Sequence, residues 1–211
     1  MTGKTRVRDF TVDTLEVGPM GANCYVVADN KTKNAFLIDP GGEPDRIKAL
    51  LKKKGLTAKF IINTHGHGDH ILGNGYFGVP IYVHRLEEDY LTDPNKNLSG
   101  MFGMFFKSPK ATKLLEDGEK LSLDSLELEI IHTPGHTPGG VSIRLDGVIF
   151  TGDTLFAAGI GRTDLPAGDE KALFKSIREK LFVLGDDVVI YPGHGPESTI
   201  GEEKRSNPFF N

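Results

Sequence analysis

Thr64-His65-Gly66-His67-Gly68-Asp69-His70 packs three histidines and an aspartate into six positions. Few structural needs explain that density, whereas imidazole and carboxylate are the ligands that divalent zinc, iron and manganese take. Three more candidates stand singly downstream, in Thr133-Pro134-Gly135-His136, Thr151-Gly152-Asp153 and Pro192-Gly193-His194-Gly195. Gly and Pro around each of them mark turns rather than packed core. The set is five histidines and two carboxylates, too many for one tetrahedral ion and suited to two. The expectation is a dinuclear metalloenzyme with His65, His67, Asp69, His70, His136, Asp153 and His194 as metal ligands. Asp69 and Asp153 are its candidate catalytic carboxylates. The cofactors would be two divalent ions, zinc foremost, with iron or manganese also compatible. His84 and His132 close apolar, strand-like runs and read as structural.

Strands and helices must deliver these residues. Phe10, Val12, Leu15 and Val17 alternate with polar residues until Gly18-Pro19, which predicts a first strand. Further strands are expected at 24–28, 35–38 and 59–63, the last delivering the histidine cluster from its C-terminal end. Pro44 to Lys54 predicts a helix with Ile47, Leu50 and Leu51 on one face and Gly55 as its stop. Asp69 and His70 would start a short helix. In the second half, strands are expected near 121–123, 126–131, 141–145, 148–150 and 188–191, with a helix over 170–184. Every ligand candidate then follows a strand, where α/β proteins place their chemistry.

The chain has 211 residues, enough for a full core without staples. A net charge of −4 with mixed signs leaves no basic footprint for nucleic acid or a membrane surface. Lys52-Lys53-Lys54 ends the predicted helix, where cations suit the helix dipole. Cys24, the single cysteine, has no disulfide partner and reads as a buried core thiol in a reducing cytoplasm. No stretch reaches the ~20 apolar residues of a membrane span. The polar start Met1-Thr2-Gly3-Lys4-Thr5-Arg6 does not read as a signal peptide.

Residues 93–111 differ from the rest. Met101, Phe102, Met104, Phe105 and Phe106 sit among Gly, Ser, Asn and Pro without strand alternation. The segment connects two similar β-rich halves, about 1–92 and 112–211, of one domain spanning 1–211. It is a packed connector or a wall over the metal cleft, and in the second case Met104 and Phe105 would touch substrate.

With these motifs laid out, the chain resembles the metallo-β-lactamase-fold hydrolases, and within them the small, single-domain, glyoxalase II-like (hydroxyacylglutathione hydrolase-like) branch. Thr-His-x-His-x-Asp-His, Thr-Pro-Gly-His-Thr-Pro-Gly, Thr-Gly-Asp-Thr-Leu-Phe and Pro-Gly-His-Gly carry the resemblance over nearly the whole chain. It implies an α/β, four-layered αββα sandwich. It also implies one ion on His65, His67 and His136, a second on Asp69, His70 and His194, and Asp153 bridging them. Asp39 would orient ligands without binding metal. Gly159-Ile160-Gly161-Arg162-Thr163-Asp164 and the tail Gly201 to Pro208 also look like this branch, with Arg162 either near substrate or in a structural ion pair. The chain departs from secreted β-lactamases, many of which use a cysteine ligand. It also departs from two-domain glyoxalase II enzymes, whose C-terminal helical extension binds glutathione.

A metal pair lowers the pKa of a shared water to roughly 7. The expected activity is therefore attack of a metal-bridging hydroxide on an acyl thioester such as S-lactoylglutathione, a small-molecule substrate. A leaving thiolate with a pKa near ~8.5 needs no general acid. The alternative is a persulfide dioxygenase holding one iron on His65, His136 and Asp153. A phosphodiesterase would need a basic groove, and a non-catalytic metal-binding module would need some defect beyond an intact ligand set. Phe209 and Phe210 would dock on the chain's own surface or on a neighbour.

Overall fold

The structure, a computed structural model, describes residues 9–211; the N-terminal stretch read for a signal peptide lies outside them. Six strands form the first sheet, in the order β1-β2-β3-β4-β5-β6. They are β1 (Phe10–Val17), β2 (Ala22–Asp29), β3 (Asn34–Ile38), β4 (Thr57–Ile62), β5 (Ile81–His84) and β6 (Lys113–Leu115). The second sheet runs β14-β13-β10-β9-β8-β7. Its strands are β7 (Lys120–Leu123), β8 (Leu126–His132), β9 (Val141–Leu145), β10 (Val148–Gly152), β13 (Val189–Pro192) and β14 (Ser198–Thr199). A small hairpin of β11 (Leu155–Phe156) and β12 (Gly159–Ile160) follows β10.

The period of two along β2 explains the layering. Tyr25 and Val27 join Phe36, Phe60, Leu128 and Phe150 in the core between the sheets. Their neighbours Cys24 and Val26 join Leu37, Ile47, Leu51 and Ile61 in a second core, under α1 (Pro44–Lys54). All eight residues of β2 are buried as a result, because both faces of the strand are covered. The second sheet buries Ile149 and Ile190 against Leu173, Ile177, Leu181 and Ile200, from α4 (Glu170–Ser176), its continuation, and α5 (Ile200–Ser206). Helix, sheet, sheet and helix make the expected αββα sandwich. Among the described residues no helix is long and apolar enough to cross a membrane.

Local expectations hold where local chemistry decides. Pro44 starts α1, and Gly55, at φ +66, ends it by donating to the carbonyls of Leu51 and Lys52. The helix expected over 170–184 is shorter. Asp169 caps it by accepting from the Ala172 amide at 2.9 Å, but α-geometry ends at Ser176 and Ile177–Leu181 form a π-helical turn. That turn still aims Ile177 and Leu181 at the sheet. β6 pairs in parallel with β5, so position 112, drawn as the start of the second half, falls before the last strand of the first sheet.

Candidate metal centre

Four connections bring the ligand candidates together. β4 ends at Ile62 and is followed by the loop of His65 and His67, then by α2 (Gly68–Ile71), which carries Asp69 and His70. From the second sheet come the β8–β9 loop with His136, the residue after β10, Asp153, and the residues after β13, with His194. All seven converge. Ligand atoms of His65, His67 and His136 lie within 4.8 Å of one another, and so do those of Asp69, His70 and His194. Asp153 stands between the two groups. One carboxylate oxygen is 3.5 Å from His70 Nε2; the other is 3.5 Å from His136 Nε2 and 3.7 Å from His194 Nε2.

Hydrogen bonds on the far side of each ring fix which nitrogen faces inward. His70 Nδ1 donates to Asp39 Oδ2 at 3.0 Å, His136 Nδ1 to the Arg162 carbonyl at 2.7 Å, and His194 Nδ1 to the Gly21 carbonyl at 3.2 Å. Thr64 Oγ1 gives its proton to Asp39 Oδ2 at 2.6 Å, so His65 Nδ1, 3.1 Å away, donates to the hydroxyl. Four Nε2 atoms therefore point into one space shared with two carboxylates. His70 and His194 bring theirs within 3.3 Å, and the buried His65 Nε2 and Asp153 Oδ1 have no hydrogen-bond partner. His136 Nε2 accepts from His67 Nδ1 at 2.9 Å; the buried groups left without a partner are costly, and divalent cations would satisfy them. The residues thus fit a two-cation centre.

Charge balance agrees. Burial pushes His65 and His67 well below the ordinary imidazole value, His67 to about 3, which keeps them neutral and able to bind metal. At His70, burial pushes the same way but the carboxylates of Asp69, Asp153 and Asp39 outweigh it, raising the ring to about 10. Burial raises the Asp69 carboxyl, yet His70 and His194 outweigh that and hold it below the usual carboxylate range. This side of the cluster draws positive charge.

Further residues hold the loops, and sequence reasoning passed over two of them. Glu87, fully buried, accepts from the Gly66 amide at 2.9 Å and from the Gly139 amide at 2.7 Å, bracing the His65–His67 loop against the His136 loop. Asn23 holds the His194 turn by donating to the carbonyls of Pro192 and Gly195, at 3.0 and 2.8 Å. Neither belongs to a motif; pairing across the sheets alone reveals them. Gly193 packs so tightly that a Cβ there would sit 2.1 Å from Asp153 Oδ1. In the tail, the Glu203 carboxylate accepts from the Ala158 amide at 2.9 Å, and Asn207 Nδ2 donates to the Gly159 carbonyl at 3.1 Å. The two branch-like segments are therefore joined.

The remaining candidates sort by place. His84 and His132 stack at 4.2 Å, and His132 Nε2 donates to the Pro138 carbonyl at 2.8 Å, a structural role. Cys24 is a buried free thiol whose pKa burial raises. Phe210 docks on the chain's own Phe174 and Phe182, while Phe209 is exposed. A cleft of about 690 Å³ opens beside the centre, lined by His67, Asp69, His136, Asp153 and His194 together with Met104 and Arg162. Arg162 forms a two-pronged ion pair with Asp164, at 2.8 and 2.7 Å. Phe105 is not in the cleft wall: it stands at φ +43, is 68% exposed, and leaves its expected place to Leu98 and Met101.

Known proteins match this chain. The metallo-beta-lactamase superfamily profile covers residues 17–194. Hydroxyacylglutathione hydrolase GloC of Haemophilus influenzae is 41% identical, over 96% of this chain and 99% of that protein. The crystal structure of BLEG-1 B3 metallo-beta-lactamase superposes with a TM-score of 0.91 at 37% identity, covering 95% of this chain and all of that one. TTHA1623 in a di-iron-bound form gives a TM-score of 0.83 at 35% identity, over 94% and 100% of the two chains. The chain belongs to the metallo-β-lactamase superfamily of metal-dependent hydrolases.

Proposed function

We propose that the chain hydrolyses acyl thioesters, with one divalent cation on His65, His67 and His136, a second on Asp69, His70 and His194, and Asp153 between them. The reading rests on one observation: four Nε2 atoms, His67 and two carboxylates crowd one space, in which the buried His65 Nε2, His67 Nε2 and Asp153 Oδ1 have no hydrogen-bond partner. Bound there, such ions supply a nucleophilic hydroxide near neutral pH and polarise a carbonyl. Because each ligand group draws on both sheets, the same reading treats the chain as one domain.

The chain's own residues do the positioning. Asp39, the Arg162 carbonyl and the Gly21 carbonyl hold three rings with Nε2 turned inward. In the reaction the acyl C–S bond breaks, a C–O bond to the water oxygen forms, and the products are a carboxylate, a thiolate and protons released to solvent. Apart from the ligand candidates and the paired Arg162, the described wall offers no Lys, Tyr, Cys or Glu to protonate a leaving group. A thiolate, with a pKa near ~8.5, leaves without one. The relationship to GloC supports a thioester, and the di-iron form of TTHA1623 supports two ions with iron among the candidates. Seven converging groups favour this reading over a dioxygenase that holds one iron on three.

Elemental analysis combined with an activity panel tests it. About two ions per chain and turnover of glutathione, cysteine or coenzyme A thioesters are expected. One iron per chain with sulfide-linked oxygen consumption would establish the dioxygenase instead. A β-lactam belongs in the panel because of the likeness to BLEG-1, and turnover of it alone would reject thioesterase activity.

A further inference from the structure

The cleft wall beyond the metal centre is largely apolar; its polar Asn97 and Ser99 are engaged with each other and with Phe106. Met20 and Pro19 approach from the β1–β2 turn, Leu98, Met101 and Met104 from the 93–111 segment, and Phe156, Ile160 and Leu165 from the second sheet's side. Among the described residues in that wall, Arg162 is the only cationic side chain apart from the ligand histidines. Asp164 already takes its Nε and Nη2 donors. A glutathione conjugate carries two carboxylates and an ammonium group, and each would need a partner as it enters. This wall offers the carboxylates one guanidinium that is engaged elsewhere. The whole chain, at −4, gives no long-range attraction to an anion either.

Resting on the thioesterase reading, we infer that the cleft selects thioesters with an uncharged, apolar arm of several carbons, on the acyl or the thiol side, rather than glutathione conjugates. Methionines suit such a role because their unbranched, polarisable side chains adapt to arms of different shape. Met20 and Met104 are 52% and 47% exposed, so an arm lying across them removes from water surface that the fold itself leaves open.

Two measurements on the metal-replete protein test this. The first is calorimetric binding of non-hydrolysable thioethers, N-acetyl-S-alkylcysteamines from methyl to hexyl, with S-hexylglutathione beside them. Affinity is expected to rise with arm length, towards about fourfold for each methylene fully buried. The glutathione head is expected to add nothing over the uncharged head. A flat length series, or S-hexylglutathione binding tenfold or more tightly, overturns the inference. The second is kcat/KM for acetyl and hexanoyl thioesters of N-acetylcysteamine, together with acetyl esters of longer alkyl thiols. This separates an acyl-side arm from a thiol-side arm, and flat rates in both series also overturn the inference.

A double variant, Met20→Lys with Met104→Lys, changes exposed positions that the fold tolerates. It is expected to flatten the length series and to improve S-hexylglutathione binding; an unchanged profile counts against the wall as the selecting element. If thioethers bind with the expected length dependence while no thioester turns over, the thioesterase reading falls and the apolar cleft stands.

Discussion

Asp39 Oδ2 lies 3.0 Å from His70 Nδ1 and 2.6 Å from Thr64 Oγ1, so one buried carboxylate orients His70 directly and His65 through a hydroxyl. Asp39 sits at φ +49, a conformation asparagine also tolerates. Asp39→Asn therefore removes the charge without straining the backbone. It is expected to weaken binding of the ion at Asp69, His70 and His194 by about 10–100-fold, read by competition with a chromogenic chelator. Unchanged affinity would show that Asp39 serves the fold alone.

Asp153 faces both ligand groups, Oδ1 towards His70 and Oδ2 towards His136 and His194. Asp153→Asn is expected to lower metal content to one ion per chain or fewer. Turnover should fall further than the about 10–100-fold typical of an outer partner. Metal analysis and kcat on the same preparation check it, and retained activity with two ions would remove Asp153 from the bridging position.

Gly193 supplies a test that leaves every ligand in place. The Cβ added by Gly193→Ala would meet Asp153 Oδ1 at 2.1 Å and His70 Cε1 at 3.0 Å. Loss of metal affinity with a folded, cooperative unfolding transition is expected. Full metal content in this variant would mean that the His194 turn relaxes freely.

Glu87 makes stability depend on pH. Burial raises its carboxyl from 4.5 to about 7, against hydrogen bonds from Gly66 and Gly139 that pull it down. Between those values the folded chain holds a proton that the unfolded chain has released. Its contribution is thus fully present below about pH 4.5 and is lost as the pH rises through about 7, by on the order of 3 kcal/mol in total. Glu87→Gln cannot titrate, so the stability of wild type relative to this variant should fall across that window and level off above it. Urea denaturation at several pH values measures it, and parallel profiles would refute it.

The parts legible in the sequence are those set by neighbours along the chain. β9 (Val141–Leu145) and α1 (Pro44–Lys54) fall where alternation and the Pro–Gly punctuation place them. The seven ligand candidates could be recognised because metal chemistry restricts residue type and the turns announce themselves. What depends on distant partners could not be read. β6 joins β5 only because the 93–111 segment returns to the first sheet, and Glu87 matters because two amides 73 residues apart meet it. Phe105 fits an aromatic wall by composition, but its left-handed backbone turns it outwards.

Ion binding should also register as thermal stability. Cations that relieve the crowded acceptors bind the folded state alone, so saturation at about 100 times Kd adds about 2.7 kcal/mol. For a chain of this size that is a rise in Tm of roughly 5–10 °C. Chelation followed by scanning calorimetry should reverse it, and an unchanged Tm would mean that the space is already satisfied.

Each group of three ligands takes two from the first sheet and one from the second, His136 or His194. An ion in either group would therefore rivet the sheets together, and His194 follows β13, 124 residues after His70. A nascent chain exposes His65 to His70 long before that strand exists. The seven candidates can come together only once synthesis has passed β13, so a chain still short of that strand holds them scattered.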